Sequence, residues 1–481
     1  MALSAKVAFN TGVQVASKII GTVVSLAAVA LITRYLGSFG FGYYTTAITF
    51  VTLFSIAGDF GMTLVSSQLL SKPGVDQNKI LSNIFTFRFV TAGIMLLLAP
   101  IVVIFFPYDP IVKQGVVIAS ITFFSILLNQ VFVSLFQKEL RADKLAISEI
   151  VSRFAILGAT VWAVWFDMGI LYILWAMAIG NILNVLMNLY YARPYARIRF
   201  MYDKEIWRDI IKRSWPLMVT IVLNLVYLKT DILLLSLFKS PEAVGLYGAA
   251  YKVIDVLVTV PFMLGGTVLP ILALRWETGK RADYERAWQK LFDATSILAW
   301  PAIVGGFVLA TPIMNIVAGK EFIPAGPILS VLVLAVAGVF FSSLFSHTMI
   351  SFGKQKKLIW SYVFTALSSL LLYFIFIPKF SYIAAAWVTV YSEVAISICA
   401  WWLVRRESGL KPRYSKSVKS LFVALLMGVI LYLVPFDTGS AMGLSITVLV
   451  GAIIYLVGLL FTGVLSRAEI RELTKIKSLN S

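Results

Sequence analysis

Fourteen apolar stretches, each long enough to cross a lipid bilayer, constrain the fold of this chain more than any other feature. A helix needs about 20 predominantly apolar residues to cross a hydrocarbon core roughly 30 Å thick. Of the 481 residues, 60% are hydrophobic and only 13% are charged, and the mean hydropathy of +0.90 is too high for a soluble chain of this length. We therefore predict an all-α polytopic membrane protein with fourteen transmembrane helices. The predicted spans are 10–33, 43–70, 86–106, 112–137, 149–167, 170–191, 214–238, 244–272, 291–317, 325–352, 358–377, 382–404, 417–435 and 442–465.

The basic residues predict the orientation of these spans. The chain has 41 Lys and Arg against 23 Asp and Glu. With a cytosolic N-terminus, 33 of the 41 fall in cytosolic connections or span ends, five in outer connections and three inside spans. Basic residues beside a span resist translocation, so both termini are predicted to face the cytosol from a cytoplasmic (inner) membrane. Because the charge is scattered among short loops, we expect contact with anionic membrane lipids and no binding of nucleic acid.

Two pairs of matching segments indicate an internal repeat. Gly42 to Ala47 (GYYTTA) matches Gly245 to Ala250 (GLYGAA), and Lys144 to Arg153 matches Lys357 to Ala366. Spans one to six and seven to twelve are thus predicted to be parallel six-helix lobes related by an axis along the membrane normal, with the transport path between them. The predicted domains are an N-lobe (1–192), a cytosolic amphipathic linker (193–213), a C-lobe (214–404), and helices 13 and 14 with a cytosolic tail (405–481).

Four longer segments resemble a known family. They are TRYLGSFGFGYY (Thr33 to Tyr44), KTDILLLSLFKSPEAVGLYGAAYKVID (Lys229 to Asp255), GKEFIPAGPILSVL (Gly319 to Leu332) and SFGKQKK (Ser351 to Lys357). Together they resemble the Wzx-type polysaccharide flippases of the multidrug/oligosaccharidyl-lipid/polysaccharide exporter superfamily. The resemblance covers spans one to twelve.

The resemblance implies a V-shaped pair of lobes that alternate between inward and outward openings. Spans one, two, seven and eight would line a cationic cavity for a pyrophosphate-linked glycan, and the last two spans resemble the extra pair of fourteen-helix members. The implied function is to flip a polyprenyl-pyrophosphate-linked oligosaccharide from the cytosolic to the outer leaflet, for surface polysaccharide or glycan assembly. Glycan assembly enzymes are the implied protein partners.

Ionisable side chains inside spans are the candidate functional residues, because each costs roughly 2.5 to 3.5 kcal/mol to insert. Lys18 and Asp59 lie on polar stripes of spans one and two, so Lys18 is predicted to bind the pyrophosphate and to pair with Asp59, with a purely structural pair as the alternative. Lys252 is placed near mid-membrane in span eight, where it can contact Asp255 at i,i+3 or Asp231 of span seven.

Three further charged residues extend this set. Arg34 ends span one on the outer side, where it either snorkels to the interface or, by its family position, adds an outer cation to the cavity. Arg88 lies near the inner end of span three, where an interface pair competes with substrate contact. Glu393 in span twelve has no basic neighbour in sequence, which suits a coupling site for H+ or Na+ or a hydrogen-bonded helix contact.

Other chemistries find less support in the sequence. One cysteine, Cys399, and one histidine, His347, provide no metal-site pattern, and no phosphate-binding glycine loop or catalytic signature is present, so we predict no cofactor, no metal and no enzymatic activity. A cation-coupled multidrug or metabolite antiporter would share the two lobes but should line its cavity with acids. A membrane glycan polymerase or ligase would need longer outer loops.

Overall fold

The computed structural model describes residues 3–70, 76–434 and 436–465, and within them it is built from helices joined by short connections. Two short 3-10 helices, Lys320–Ala325 and Gln355–Lys357, interrupt the α-helices of the second half. The α-helices are α1 (Leu3–Asp59), α2 (Met62–Leu70), α3 (Gln77–Val103), α4 (Pro110–Lys138), α5 (Ala142–Trp165), α6 (Ile170–Ala192), α7 (Lys204–Phe238), α8 (Pro241–Glu277), α9 (Arg281–Val308), α10 (Ala310–Val317), α11 (Gly326–Ser351), α12 (Leu358–Ser408), α13 (Ser415–Leu433) and α14 (Ala441–Phe461).

Two of these helices are long enough to cross a membrane twice, and each contains one sharp kink. In α1 the break is Gly37, with φ 64° and ψ −177°, and in α12 it is Ser381, with φ 56° and ψ −141°. A positive φ is ordinary for glycine but rare for serine, so a local constraint must hold Ser381 in this conformation. The kinks fall between predicted spans one and two and between spans eleven and twelve.

Predicted span two is itself interrupted. Phe60 and Gly61 have φ angles of 53° and 70°, which end α1 at Asp59 and start α2 at Met62. The break places the Asp59 carboxylate at a helix end instead of in a continuous polar stripe.

The lateral surface is apolar, as expected for helices solvated by lipid. Eleven helical stretches in the described residues are long and apolar enough to cross a membrane. Large side chains such as Phe105, Trp165 and Phe461 are more than 80% exposed, which water would not tolerate over so many positions. The predicted all-α polytopic fold is confirmed, while the number of fourteen spans stays a prediction.

The chain divides into two compact units, Met1–Gly245 and Leu246–Ser481. The first unit includes α7, which packs against α1, so its limit lies after α7, whereas the repeat places the lobe boundary before it. Two of its buried clusters centre on Phe132 and Phe136 at one end and on Phe50 and Val116 at the other. The predicted domain limits stay a prediction, and the tail from residue 466 lies outside the described residues.

In the second unit, α13 and α14 pack against α9. Val304 and Val308 of α9 contact a cluster that includes Met427 of α13 and Tyr455 of α14. The Tyr455 hydroxyl donates a hydrogen bond to the Ile297 carbonyl at 2.9 Å, which anchors α14 to α9. A second cluster, centred on Trp288 and Phe352, fills the opposite end of the unit.

Candidate functional site

Arg88 of α3 is a fully buried charged residue whose side chain joins three helices. Its Nη2 lies 2.7 Å from Asp59 Oδ1 at the end of α1, and its Nη1 donates to the Leu127 carbonyl of α4 at 2.9 Å. The residue is 0% exposed, while the Asp59 side chain keeps 19% of its surface. Arg88 is therefore part of a buried interface pair in this conformation, the alternative to substrate contact that its sequence position left open.

The predicted pair of Lys18 with Asp59 stays a prediction beside this arrangement. Lys18 is exposed on α1, whereas Asp59 accepts its ion pair from Arg88. The Arg88 guanidinium bonds the Asp59 carboxylate and the Leu127 carbonyl at the same time, which its planar set of donors allows. Lys18 therefore keeps an accessible ammonium.

Arg34 ends the first half of α1 with an exposed side chain. Its Nη1 donates to the Ala30 carbonyl of the same helix at 2.9 Å. The next residue, Tyr35, accepts from the Gly169 amide at 2.8 Å and donates to Asp167 at 2.7 Å, which ties this end of α1 to the turn between α5 and α6.

The charged residues of α7 and α8 differ in burial. Asp231 of α7 is fully buried, and its Oδ1 accepts from the Ile232 amide at 2.7 Å. On α8, Lys252 is half-buried and Asp255 is exposed. The pairing of Lys252 with Asp255 or with Asp231 stays a prediction.

Glu393 is a buried carboxyl group in the second unit. It is 3% exposed on α12, and Gly338 of α11 packs so closely that a β-carbon there would lie 2.6 Å from the Glu393 carbonyl carbon. Within the described residues, no basic side chain forms an ion pair with this carboxyl group. Gly338 therefore lets α11 and α12 approach closely at Glu393.

The single histidine has an interface role. His347 Nδ1 lies 2.7 Å from the Ser343 carbonyl, and its ring fills the space beside Gly265 of α8, where a β-carbon would lie 2.5 Å from Nδ1. The Ser343 hydroxyl donates to the Pro261 carbonyl at 3.2 Å. This contact joins α11 to α8 beside the proline inside α8.

Two groups of polar contacts near helix ends were predicted from the sequence only in part. Arg153 of α5 pairs with Glu149 at 3.1 Å, as its i,i+4 spacing predicts, and it also donates to Ser25 of α1. Glu407 at the end of α12 bonds Lys354 at 2.7 Å and also contacts Lys357. The sequence analysis missed Glu407, although an acid placed beside so many basic residues is a usable signal.

Two glycines aligned by the repeat pack against each other's helix. A β-carbon on Gly42 of α1 would lie 1.8 Å from the Pro241 carbonyl oxygen, and one on Gly245 of α8 would lie 1.9 Å from the Ser38 carbonyl oxygen. Each oxygen belongs to the residue four positions before the opposite glycine. The contact is therefore reciprocal, as a two-fold relation between the segments would make it, and only glycine permits the approach.

The predicted linker is an extended segment followed by the first turns of α7. Asp203 caps α7 by accepting from the Glu205 and Ile206 amides, and its carboxylate lies 2.6 Å from Lys79 Nζ. The hydrogen bond from the Lys79 ammonium holds the pKa of Asp203 below its usual value. The segment before α7 is thereby anchored to α3.

Comparisons with known sequences place the chain in a family. The family model described as polysaccharide biosynthesis protein matches residues 4–274, more than half of the chain. An uncharacterized membrane protein of Methanocaldococcus jannaschii is 21% identical over 213 residues, covering 44% of this chain and 42% of that protein. The teichuronic acid biosynthesis protein TuaB of Bacillus subtilis is 22% identical over 372 residues, covering 74% of this chain and 75% of TuaB. The chain thus spans about two fifths of the first relative and three quarters of the second.

Solved structures share the fold over most of the chain. The lipid II flippase MurJ in an inward closed conformation aligns with a TM-score of 0.76 and 18% identity, covering 92% of this chain and 97% of that one. An inward-facing multidrug resistance MATE family transporter of the MOP superfamily aligns with a TM-score of 0.68 and 12% identity, covering 82% and 98%. At such identities the likeness shows the fold. The resemblance found in the sequence is confirmed, and the chain is a multi-pass membrane protein that belongs to the polysaccharide biosynthesis protein family.

Proposed function

We propose that this protein flips a polyprenyl-pyrophosphate-linked oligosaccharide from the cytosolic to the outer leaflet of the cytoplasmic membrane by alternating access. The family match over residues 4–274 carries this proposal, because it joins polysaccharide assembly to a fold shared with a lipid II flippase. The chain then acts as a transporter and not as an enzyme. Its cargo is lipid-linked, and the enzymes that build and consume the glycan are its expected functional partners.

The cationic side chains in the spans suit such a cargo. Lys18 is exposed on α1 and Lys252 is half-buried on α8, both within apolar helices where an ammonium group is costly without a function. A pyrophosphate carries negative charge that a low-dielectric environment attracts strongly to fixed cations. We therefore propose Lys18, Lys252 and Arg34 as cargo ligands, and we assign Arg88 to the structural pair with Asp59.

Glu393 is the proposed coupling residue. A carboxyl group this buried exchanges a proton or binds a monovalent cation only when its helices move, which would connect ion binding to conformation. In proteoliposomes, Glu393→Gln should make transport independent of an imposed H+ or Na+ gradient, while Glu393→Asp should keep the dependence. Equal gradient dependence in wild type and Glu393→Gln would remove Glu393 from the mechanism.

Reconstituted flipping of a fluorescent polyprenyl-pyrophosphate oligosaccharide tests the main proposal. Lys252→Ala should reduce the initial rate at least tenfold, and Lys252→Arg should keep part of the activity, because the arginine retains the charge. Lys320→Ala, which removes an exposed basic residue near a predicted outer connection, is the matched control and should transport at the wild-type rate. If Lys252→Ala transports normally and remains monodisperse, Lys252 does not bind cargo.

A drug or metabolite antiporter is the second candidate, favoured by one observation. The buried Glu393 carboxyl group could bind a proton and an organic cation in turn, as an antiporter requires, and the fold aligns with a MATE family transporter. Flux of organic cations driven by a proton gradient, with no flipping of any lipid-linked sugar, would replace the flippase proposal.

A further inference from the structure

An open cavity of about 430 Å³ lies at the C-terminal end of α6, within the first compact unit. The last turn of α6, with Leu189 and Ala192, forms one wall, and the following segment adds Arg193, Arg197 and Arg199. All three arginines are exposed. Its lining includes none of the residues that we propose as cargo ligands on α1 and α8.

The segment that carries Arg197 and Arg199 is extended and fixed to α3. Four of its backbone amides, at every second residue, donate to side chains of α3. The bonds run from Arg197 to Asn78 Oδ1 at 2.7 Å, Arg199 to Ser82 Oγ at 3.1 Å, Met201 to Thr86 Oγ1 at 2.9 Å and Asp203 to Asn83 Oδ1 at 2.7 Å. Since Asn78, Ser82 and Thr86 follow each other at i,i+4, one stripe of α3 satisfies the backbone of this segment.

This fixed backbone places the two arginines on the same face. In an extended chain, residues i and i+2 project together and their Cα atoms are about 6.6 Å apart. Ala196 and Ile198 alternate with the two arginines and pack in the cluster that contains Phe132 and Phe136, and both also contribute to the lining of the cavity. Two guanidinium groups at this spacing can bond one phosphate from both sides, which is a geometry that arginine favours.

The charge of the cavity is not neutralised by nearby acids. In the part of the chain that the structure describes, none of its three guanidinium groups forms an ion pair with a carboxylate. The neighbouring acid, Asp203, is already bonded to Lys79 at 2.6 Å. Arg193 lies over the Tyr190 ring, 5.5 Å from its centroid, which orients the side chain and leaves its charge in place.

Exposed aromatic side chains are close in sequence to the arginines of the cavity. Tyr190, Phe200 and Tyr202 are each more than 60% exposed, close in sequence to the three arginines. Aromatic side chains at this density are typical of the membrane interface, where their rings reach the level of the lipid head groups. A ligand with both a phosphate and an acyl or prenyl chain would contact both kinds of residue, whereas free phosphate would use only the arginines.

We propose that this cavity binds the phosphate group of a membrane lipid, held between Arg197 and Arg199 with Arg193 beside them. Basic pockets beside membrane helices commonly recognise lipid head groups. The ligand is either an anionic phospholipid or the polyprenyl pyrophosphate that carries cargo, and these share the lipid-borne phosphate that the arginines recognise.

Native mass spectrometry of the full-length protein in detergent tests this site. Wild type and Arg197→Ala/Arg199→Ala are titrated separately with phosphatidylglycerol, a polyprenyl pyrophosphate and phosphatidylcholine. The double variant should bind phosphatidylglycerol, polyprenyl pyrophosphate or both roughly 20-fold more weakly, because two basic contacts are lost. Weakening for phosphatidylglycerol alone identifies a phospholipid site, and weakening for polyprenyl pyrophosphate alone identifies a cargo site. Equal affinities of wild type and double variant for both phosphate lipids would overturn the proposal.

Arg405→Ala/Arg406→Ala is the matched control. These two arginines lie near the end of α12, over Trp401 and Trp402 at 5.6 and 5.3 Å from the ring centroids. Their replacement removes two positive charges, as the replacement of Arg197 and Arg199 does. The control should retain wild-type affinity, and an equal loss would show that only net charge matters.

Arg197→Lys/Arg199→Lys is a second variant, for the case that the alanine variant misfolds, and it should bind with an intermediate affinity. Competition by inorganic pyrophosphate at the same concentration as the lipid would contradict a site that needs the lipid chain.

Discussion

At the scale of single residues, the burial of a charge and the identity of its partner were predictable to different degrees. The sequence placed Asp59 in the inner half of span two and Arg88 near the inner end of span three, and the polar stripes of spans one and two suggested Lys18 as the partner of Asp59. The structure shows Asp59 paired with Arg88 of α3, a contact between helices that the spacing within one helix does not contain. The i,i+4 pair of Glu149 with Arg153 was predictable because both residues lie on one uninterrupted helix.

Removing Arg88 should destabilise the protein by removing the buried member of its ion pair with Asp59. Arg88→Met is expected to reduce the free energy of unfolding by about 3 kcal/mol, because loss of one member of a buried ion pair leaves the other uncompensated. The measurement is thermal unfolding in detergent, followed by size-exclusion chromatography. A variant as stable as wild type would show that the contact between Arg88 and Asp59 contributes nothing.

The paired change separates this structural role from cargo binding. Arg88→Met/Asp59→Leu replaces both charges with apolar groups and should recover much of the lost stability. If Arg88 has no contact with cargo, this double variant should also flip the lipid-linked glycan at a rate near that of wild type. A stable double variant without transport would return Arg88 to the set of cargo ligands.

At the scale of helices, hydropathy predicted where the apolar segments lie, but not how their backbones approach or bend. Gly37 and Ser381 kink α1 and α12 at short connections that the sequence marks only by a drop in hydropathy. The linker 193–213 was predicted as an amphipathic surface element because it holds Ile206, Trp207 and Ile210 among charged residues, and these three lie in the first turns of α7. Its extended part depends on side chains of α3 more than 100 residues away, which no local pattern contains.

The reciprocal glycine contact predicts a position that tolerates no side chain. Gly42→Ala would bring its β-carbon within 1.8 Å of the Pro241 carbonyl oxygen, so α1 and α8 must separate. Overpacking of this kind costs about 1 to 3 kcal/mol, and the midpoint of thermal unfolding should fall accordingly.

Gly158→Ala is the control for the glycine contact. Gly158 also lies inside a helix, α5, but nothing lies within 4 Å of a β-carbon placed there, so its substitution should leave stability unchanged or slightly raised. Equal stability of Gly42→Ala and Gly158→Ala would mean that α1 and α8 do not meet as closely in the membrane as they do here.

At the scale of the whole molecule, the distribution of basic residues predicts one orientation. Of the 41 Lys and Arg, only Arg34, Lys113, Lys239, Lys320 and Lys379 lie in connections predicted to face outwards. The structure adds that basic residues at predicted inner ends are also used in contacts, such as that of Lys354 with Glu407. A basic residue at an inner span end can therefore set the orientation of the span and also join two helices. The sequence position of the charge alone does not show which basic residues do both.

Reporter fusions test this orientation in cells. A green fluorescent protein joined after Ser481 should fluoresce, because this reporter folds in the cytosol, whereas alkaline phosphatase at that position should be inactive. Alkaline phosphatase inserted into the turn between α13 and α14, at Gly439, should be active, because the turn is predicted to reach the outside. The Lys and Arg flanking the spans resist translocation, and 33 on one side against five on the other leaves little competition between orientations. Active phosphatase at the C-terminus together with inactive phosphatase at Gly439 would invert the molecule, and the proposed direction of lipid transport would have to be reversed with it.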